Sequence, residues 1–454
     1  MRKTTSTSQK LNQFLVILIP ILITQLGLYS MTFMDTAMSG HVRQTDLAGV
    51  AIGSSLWVPV YTGLSGILLA ITPIVSQSIG ANRHDRVGFS VIQGVYLAGA
   101  IAVAVTIAGA LILNPVLSSL NLEPDVERIS RNYLIALSIG IIPLFVYNVL
   151  RGFMDSLGLT RVSMIITLIA VPVNFFLNYL FIFGNFGFPK LGGVGSGVAS
   201  AITYWVISII AVFIIFRKQP FVRFGVFSRL YRISLQSWKE ILKIGVPIGL
   251  AIFFETSIFA AVTLFMSRFD TVTIASHQAA MNFASFLYML PLSISMALTI
   301  VVGFEAGAKR YRDAKQYAGI GILTAILFSL ATAAVIFFFR EPIAGIYTSN
   351  HKVLELTQQF LIYAIFFQLS DAIAAPIQGA LRGYKDVNIT FLTALISYWI
   401  IGLPSGYLLA NYSSMGAFGY WIGLITGLAA GAVGLSFRLR YIQQKVQSYQ
   451  KVTA

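Results

Sequence analysis

The chain has 454 residues, of which 57% are hydrophobic and 10% charged, and its mean hydropathy is +0.80. That is too apolar for soluble domains and marks a polytopic protein of the lipid bilayer. A net charge of +15 would point to nucleic acid in a soluble chain. Here it fits the basic cytoplasmic loops of membrane proteins, so no nucleic-acid partner is expected. Cysteine is absent, which excludes a disulfide framework, a thiol nucleophile and a Cys-based metal site.

The basic N-terminus MRKTTSTSQK leads into a run too long for a signal peptide and lacking a small-residue cleavage pattern. It is expected to be uncleaved. Apolar runs of spanning length follow at 11–38, 48–77, 88–113, 128–152, 161–184, 194–216, 241–265, 276–305, 315–337, 353–381, 388–410 and 416–437. Twelve transmembrane helices are predicted, with no strands, because open sheet edges cannot face lipid.

An even number of spans puts both termini on one side. Of the 31 lysines and arginines, only Arg43, Arg128, Arg131, Lys190, Arg268, Arg340 and Lys352 would lie outside if that side is the cytoplasm. This asymmetry predicts cytoplasmic termini. The basic segment Arg217–Lys243 carries no long apolar run and reads as a linker between halves. The predicted domains are an N-lobe (1–216), a cytoplasmic linker (217–240), a C-lobe (241–440) and a cytoplasmic tail (441–454).

The halves repeat. An ungapped shift of 227 positions pairs Pro20 with Pro247, Thr72 with Thr299, Gly80 with Gly307, Arg83 with Arg310 and Gly152 with Gly379. Six helices separate the copies, so both have one orientation, as in transporters built from parallel repeats. The fold class is therefore an all-α polytopic membrane protein with two pseudo-symmetric six-helix lobes.

Thirteen of the sixteen acids lie in loops or at helix ends, and the three that do not are Asp35, Glu255 and Asp371. A carboxylate at helix centre is unfavourable by about 2.5–3.5 kcal/mol on insertion scales, which makes each a functional-site candidate. The alternative is that each pairs with a base or caps a helix. No lysine or arginine falls deep within a run, which predicts no buried ion pair and buried charge that is acidic throughout. Under the 227 shift the three acids fall on Val262, Leu28 and Leu144, so the duplicated scaffold does not require them.

Each half adds its own polar chemistry. The N-lobe has Asp35 with Asn174 and Asn178, which share one helix face at i, i+4. The C-lobe has Glu255 and Asp371, with His277, Gln278 and Asn282 nearby in sequence. Amides in membrane helices also simply bond between helices. Two carboxylates away from water repel one another unless a cation or proton sits between them. If an ion and a cationic solute compete for the same acids, each lowers the other's affinity, which is the basis of antiport. Tyr29 and Phe33 flank Asp35, Phe253, Phe254 and Phe259 flank Glu255, and Phe367 precedes Asp371, so rings are placed to hold a lipophilic cation. Pro20, Pro172, Pro247, Pro291 and Pro376 lie inside predicted helices and invite kinks. No phosphate-binding loop, metal-spaced histidine cluster or Ser/His/Asp set is present, so no enzyme activity and no cofactor are expected.

The sequence resembles the multidrug and toxic compound extrusion (MATE) transporters, in their NorM branch, over essentially its whole length. The resemblance is carried by MDTAMSGH (34–41), GANRHDRVG (80–88), RGFMDSLG (151–158), the block SHQAAMNFASFLYMLPLSISMALTIVVGFEAGA (276–308) and DAIAAPIQGALRGYKD (371–386). It implies a monomeric antiporter of the bacterial cytoplasmic membrane that exports cationic amphiphilic drugs and dyes by alternating access. The implied coupling ion is Na⁺, with H⁺ as the alternative. It further implies cation binding by Glu255, Asp371, Asp35, Asn174 and Asn178. The resemblance also implies that the two lobes surround a central cavity. The residues expected to line it for substrate are Tyr29, Phe33, Phe253, Phe254, Phe259, Gln278, Asn282 and Phe367. Some relatives have tyrosine four residues before the second C-lobe acid, whereas this chain has Phe367. Two competing readings are a lipid-linked sugar flippase of the wider superfamily and an intramembrane enzyme with paired acids.

Overall fold

The computed structural model describes residues 1–229 and 231–453, with side chains through Ser448; Leu230 of the expected linker and the last residue of the expected tail lie outside them. Every regular element among the described residues is helical. In chain order these are α1 (Thr7–Gly40), α2 (Gln44–Leu68), α3 (Ile71–Gly80), α4 (His84–Ser119), α5 (Pro124–Ser138), α6 (Ile141–Ser156), α7 (Thr160–Phe183) and α8 (Gly193–Arg217). After a short 3₁₀ turn at Phe221–Phe224 come α9 (Leu235–Met266), α10 (Thr271–Gly307), α11 (Tyr311–Gly345), α12 (His351–Gly383), α13 (Asn388–Ala394), α14 (Leu403–Tyr412) and α15 (Ala417–Thr453).

Eleven of these stretches are long and apolar enough to cross a membrane, and the bent pair α5–α6 makes a twelfth. That agrees with the twelve runs of the sequence. The 51° bend between α5 and α6 falls at Gly140. A Cβ at that position would sit 2.7 Å from the Cα of Ala201 on α8, so only glycine admits this approach. All five expected prolines lie inside helices. Between α13 and α14 the span widens into a π-helical stretch, Leu395–Gly402, just before Pro404. Proline offers no N–H to the carbonyl one turn earlier and its ring crowds that carbonyl, which is a local cause for the wider turn.

The repeat is written into the backbone. Asn82 and Lys309, 227 positions apart, both take left-handed φ, at 56° and 58°. Around them the same three turn bonds recur. Ala81, Asn82 and Arg83 donate to the carbonyls of Gln77, Ile79 and Ser78, and Ala308, Lys309 and Arg310 donate to those of Phe304, Ala306 and Glu305. Gly158 and Lys385 form a second such pair, with φ of 77° and 61°. Close packing recurs too. Thr299 Oγ1 donates to the Gly379 carbonyl at 3.0 Å, and at the matching place the nearest atom to a Cβ built on Gly152 is Thr72 Oγ1.

By its contacts the chain forms two compact units, Ile19–Val246 and Met1–Leu18 with Pro247–Ala454. The sequence places the first 216 residues in one lobe, whereas the first eighteen pack with the C-terminal unit. Both divisions fall beside a repeat-paired proline, Pro20 or Pro247. Within the C-terminal unit, Lys10 is 2% exposed and its Nζ lies 3.1 Å from Asp313 Oδ1. Thr4 and Gln13 both hydrogen-bond the hydroxyl of Tyr317, and Arg310 pairs with Glu305. In the other unit, the expected linker is tied down where Gln93 donates to the Arg232 carbonyl and accepts from the Ser234 N–H.

Candidate functional site

In the unit Ile19–Val246, the two asparagines of α7 face inward one turn apart and are fully buried. Asn178 Nδ2 donates to Asp35 Oδ1 at 2.6 Å and lies 3.1 Å from Asn174 Oδ1. Ser200 on α8 donates to the other Asp35 oxygen at 2.7 Å, and Asn174 Nδ2 reaches that serine at 3.5 Å. The structure thus brings Asp35, Asn174 and Asn178 together. Ser200 is a fourth member, hidden in the small-residue run GVGSGVASA. Asn178 Oδ1 is buried with no hydrogen-bond partner. A carboxylate, two amide oxygens and a hydroxyl form an oxygen-rich set suited to a hard monovalent cation. Of the expected wall residues on α1, Tyr29 is half-buried and Phe33 exposed.

In the other unit, Glu255 on α9 and Asp371 on α12 are both buried, at 8% and 3% exposure, and interact electrostatically. Tyr288 on α10 donates a long hydrogen bond, 3.5 Å, to Glu255 Oε1. Asp371, Gln378 and Arg382 lie seven and then four residues apart on α12, a spacing that puts them on one face. All three are buried. Arg382 Nη2 donates to Gln378 Oε1, one turn earlier, at 3.4 Å. Tyr398, in the π-helical stretch, is buried beside both acids. Asp371 accepts no hydrogen bond from a described residue.

The aromatic positions divide. Phe259 and Phe367 pack edge to face at 5.6 Å, and Phe367 also meets Trp421, so these two rings belong to the core beside Asp371. Phe254 packs on Trp399, whose indole donates to the Phe254 carbonyl, while Phe253 is partly exposed. Gln278 and Asn282 lie on an exposed face of α10, where Asn282 accepts from Tyr347. His277 is buried, with Nδ1 accepting from Trp421 at 3.1 Å.

Two expectations about charge are corrected. Buried bases do exist: Lys10, Arg151 and Arg382 are all buried, Lys10 paired with Asp313, Arg151 with Asp155, and Arg382 bonded to Gln378. The apolar runs hid them because each base lies where its run begins or ends. The helix continues past that point, and a long side chain reaches inward from its end. Nor are Asp35, Glu255 and Asp371 the only buried acids. Asp155 pairs with Arg151 at 3.4 Å and accepts from Ser163 at 2.5 Å, Glu305 pairs with Arg310, and Asp46 accepts from the Gly193 N–H at the start of α8.

The MatE family model matches residues 20–180 and 247–408, one copy in each repeat. A Bacillus licheniformis protein named "Probable multidrug resistance protein NorM" is 65% identical over 445 residues, covering 98% of both chains. Its Bacillus subtilis namesake is 62% identical over 452 residues, covering the whole of both. Among solved structures, the outward-facing conformation of a multidrug resistance MATE family transporter of the MOP superfamily superposes with TM-score 0.89 at 18% identity, over 98% of this chain and 100% of that one. The Vibrio cholerae MATE transporter VcmN in its bent form superposes with TM-score 0.85 at 20% identity, over 98% and 100%.

Proposed function

This chain belongs to the MatE family, and from that premise we propose that it is a cation-coupled multidrug antiporter of the bacterial cytoplasmic membrane. It is a multi-pass membrane protein and not an enzyme. In the proposal both termini face the cytoplasm, the coupling ion is Na⁺ or H⁺, and the exported solutes are cationic amphiphilic drugs and dyes. The observation that carries the reading is the buried pair Glu255–Asp371, one acid donor-bound and the other without a hydrogen bond from any described residue. Such a pair favours a cation, and an ion and a cationic drug competing for it exchange reciprocally. Relatives 65% and 62% identical are named probable multidrug resistance proteins, which supports the same reading.

Asp35, with Asn174, Asn178 and Ser200, supplies a second candidate ion site. The flippase reading needs free buried bases for phosphate. Lys10 and Arg151 are paired with carboxylates instead, which weighs against it. The test is ethidium efflux from proteoliposomes under an imposed Na⁺ gradient and, separately, a pH gradient. Glu255→Gln and Asp371→Asn are expected to abolish gradient-driven efflux at normal expression. Wild-type rates in both variants would overturn the proposal.

A further inference from the structure

One buried histidine stands outside both acid sites. His277, in the second turn of α10, is fully enclosed, and its ring touches three other helices of the C-terminal unit. Trp421 on α15 donates its indole N–H to Nδ1 at 3.1 Å, and Nε2 lies 3.3 Å from Thr263 Oγ1 on α9. Phe360 on α12 meets the imidazole edge to face at 6.2 Å. An indole N–H can only donate, so Nδ1 accepts and the imidazole proton sits on Nε2, facing the threonine hydroxyl.

From this node packed rings lead to Asp371. Trp421 is fully buried and packs on Phe367 at 6.4 Å, and Phe367 packs on Phe259 at 5.6 Å. Phe367 and Asp371 are both buried and stand one turn apart on α12. Residues at that spacing are neighbours on one helix face. The hydrogen bond at His277 therefore fixes a tryptophan, the tryptophan backs a phenylalanine, and the phenylalanine stands beside the acid.

The repeat shows that the common scaffold does not require this run. Under the 227 shift His277, Phe259, Phe367 and Asp371 fall on Val50, Thr32, Gly140 and Leu144. In the N-terminal unit Val50 packs with Tyr133 and Leu137 in an apolar cluster, and Gly140 marks the bend of its span. In the C-terminal unit α12 runs through the matching place as one helix, with a ring where the glycine would be. The histidine, the two phenylalanines and the acid are found together in one half and are together missing from the other.

We propose, resting on the antiport reading above, that His277 is a positioning residue for the C-terminal cation site. By holding the Trp421 indole it sets Phe367 beside Asp371, the acid that accepts no hydrogen bond from a described residue. Without its acceptor the buried indole N–H is unsatisfied, which is unfavourable, and the ring turns toward another partner. Phe367 shifts with it, because close-packed rings transmit displacement. The carboxyl group then lacks the fixed wall against which it receives an ion.

The test is ethidium efflux from proteoliposomes, titrated in whichever ion drives it, Na⁺ or H⁺. His277→Leu deletes the acceptor, and Trp421→Phe deletes only the donor while keeping a ring. Each is expected to raise the half-activating ion concentration about tenfold, the size of one buried hydrogen bond. The double variant is expected to go no further, because both changes remove the same bond. His277→Asn returns an acceptor oxygen near the place of Nδ1 and is expected to stay within about twofold of wild type.

A merely structural histidine gives another pattern, in which folded protein and maximal rate fall while the half-activating concentration holds. That pattern overturns the proposal. So do independent effects that multiply in the double variant, or a His277→Asn variant no better than His277→Leu. Trp421→Phe carries the test should His277→Leu fail to fold. A wild type that moves no ethidium under either gradient would instead overturn the antiport reading.

Discussion

Asn178 donates to Asp35 at 2.6 Å through the same nitrogen that lies 3.1 Å from Asn174 Oδ1. One amide group therefore holds the carboxylate of α1 against α7, and its own oxygen stays buried and unpartnered. Asn174 stands one step back, 3.5 Å from Ser200. Replacing Asn178 by alanine removes a donor and a free acceptor at once. We expect Asn178→Ala to lower cation affinity at this site by about tenfold, against about threefold for Asn174→Ala, as befits hydrogen bonds to charge of about 1.5–3 kcal/mol versus a weak neutral contact. Cation-dependent protection against thermal unfolding, titrated in both variants, checks the order.

Arg151 and Asp155 also make a stability prediction. Asp155→Leu leaves Arg151 buried without the carboxylate that lies 3.4 Å from it. Removing one partner of a buried pair is expected to destabilise the protein by about 3–5 kcal/mol. Asp155→Leu with Arg151→Met restores most of that. Fluorescence-detected thermal unfolding in detergent separates the two. Equal melting of the single and double variants would show that the arginine is not held by the aspartate.

The repeat allows a matched pair of glycine substitutions. A Cβ on Gly379 would meet the Ser295 carbonyl oxygen at 2.1 Å, whereas on Gly152 the nearest atom is Thr72 Oγ1 at 3.1 Å. Backbone cannot move aside and a hydroxyl can. Gly379→Ala is expected to cost about 2–3 kcal/mol and Gly152→Ala under about 1, the usual range for overpacking against rigid and adaptable neighbours. Comparing the two melting temperatures decides the matter.

Lys309 and Lys385 carry β-carbons in left-handed backbone where the partner of the second is Gly158. Lys385→Gly is expected to stabilise the protein by a few tenths to about 1 kcal/mol, since the left-handed strain exceeds the added chain entropy. Thermal unfolding measured beside Lys309→Gly gives the comparison.

What could be read from the sequence was whatever obeys a local rule. Hydropathy gave the spans, and loops of equal length gave the 227 repeat, which the paired turns at Asn82 and Lys309 bear out. Helical spacing put Asn174 beside Asn178, and it would equally have put Gln378 and Arg382 on the face of Asp371. That signal was present but lay beyond the end of the apolar run. Tyr288 and Tyr398 were out of reach, because their approach to Glu255 depends on how α10 and a π-helical turn pack against α9. Ser200 has no signal of its own among small residues that any helix contact would use. The membership of the first eighteen residues in the unit that holds Pro247–Ala454 rests on contacts spanning most of the chain, and no window of sequence carries those.

Those eighteen residues bear on how the protein is made. Gln13 finds its partner Tyr317 304 positions downstream, and Lys10 finds Asp313 in the same helix. The ribosome delivers the start of α1 first and its partners only after α11 has emerged. A nascent chain halted in the linker thus presents a first helix whose leading end has nothing to pack on, with Lys10 uncompensated. Translation past Tyr317 supplies the opening helix with the partners of its leading end. A gene divided in the linker would yield a first fragment that needs the second fragment beside it in the membrane before its own N-terminus can settle.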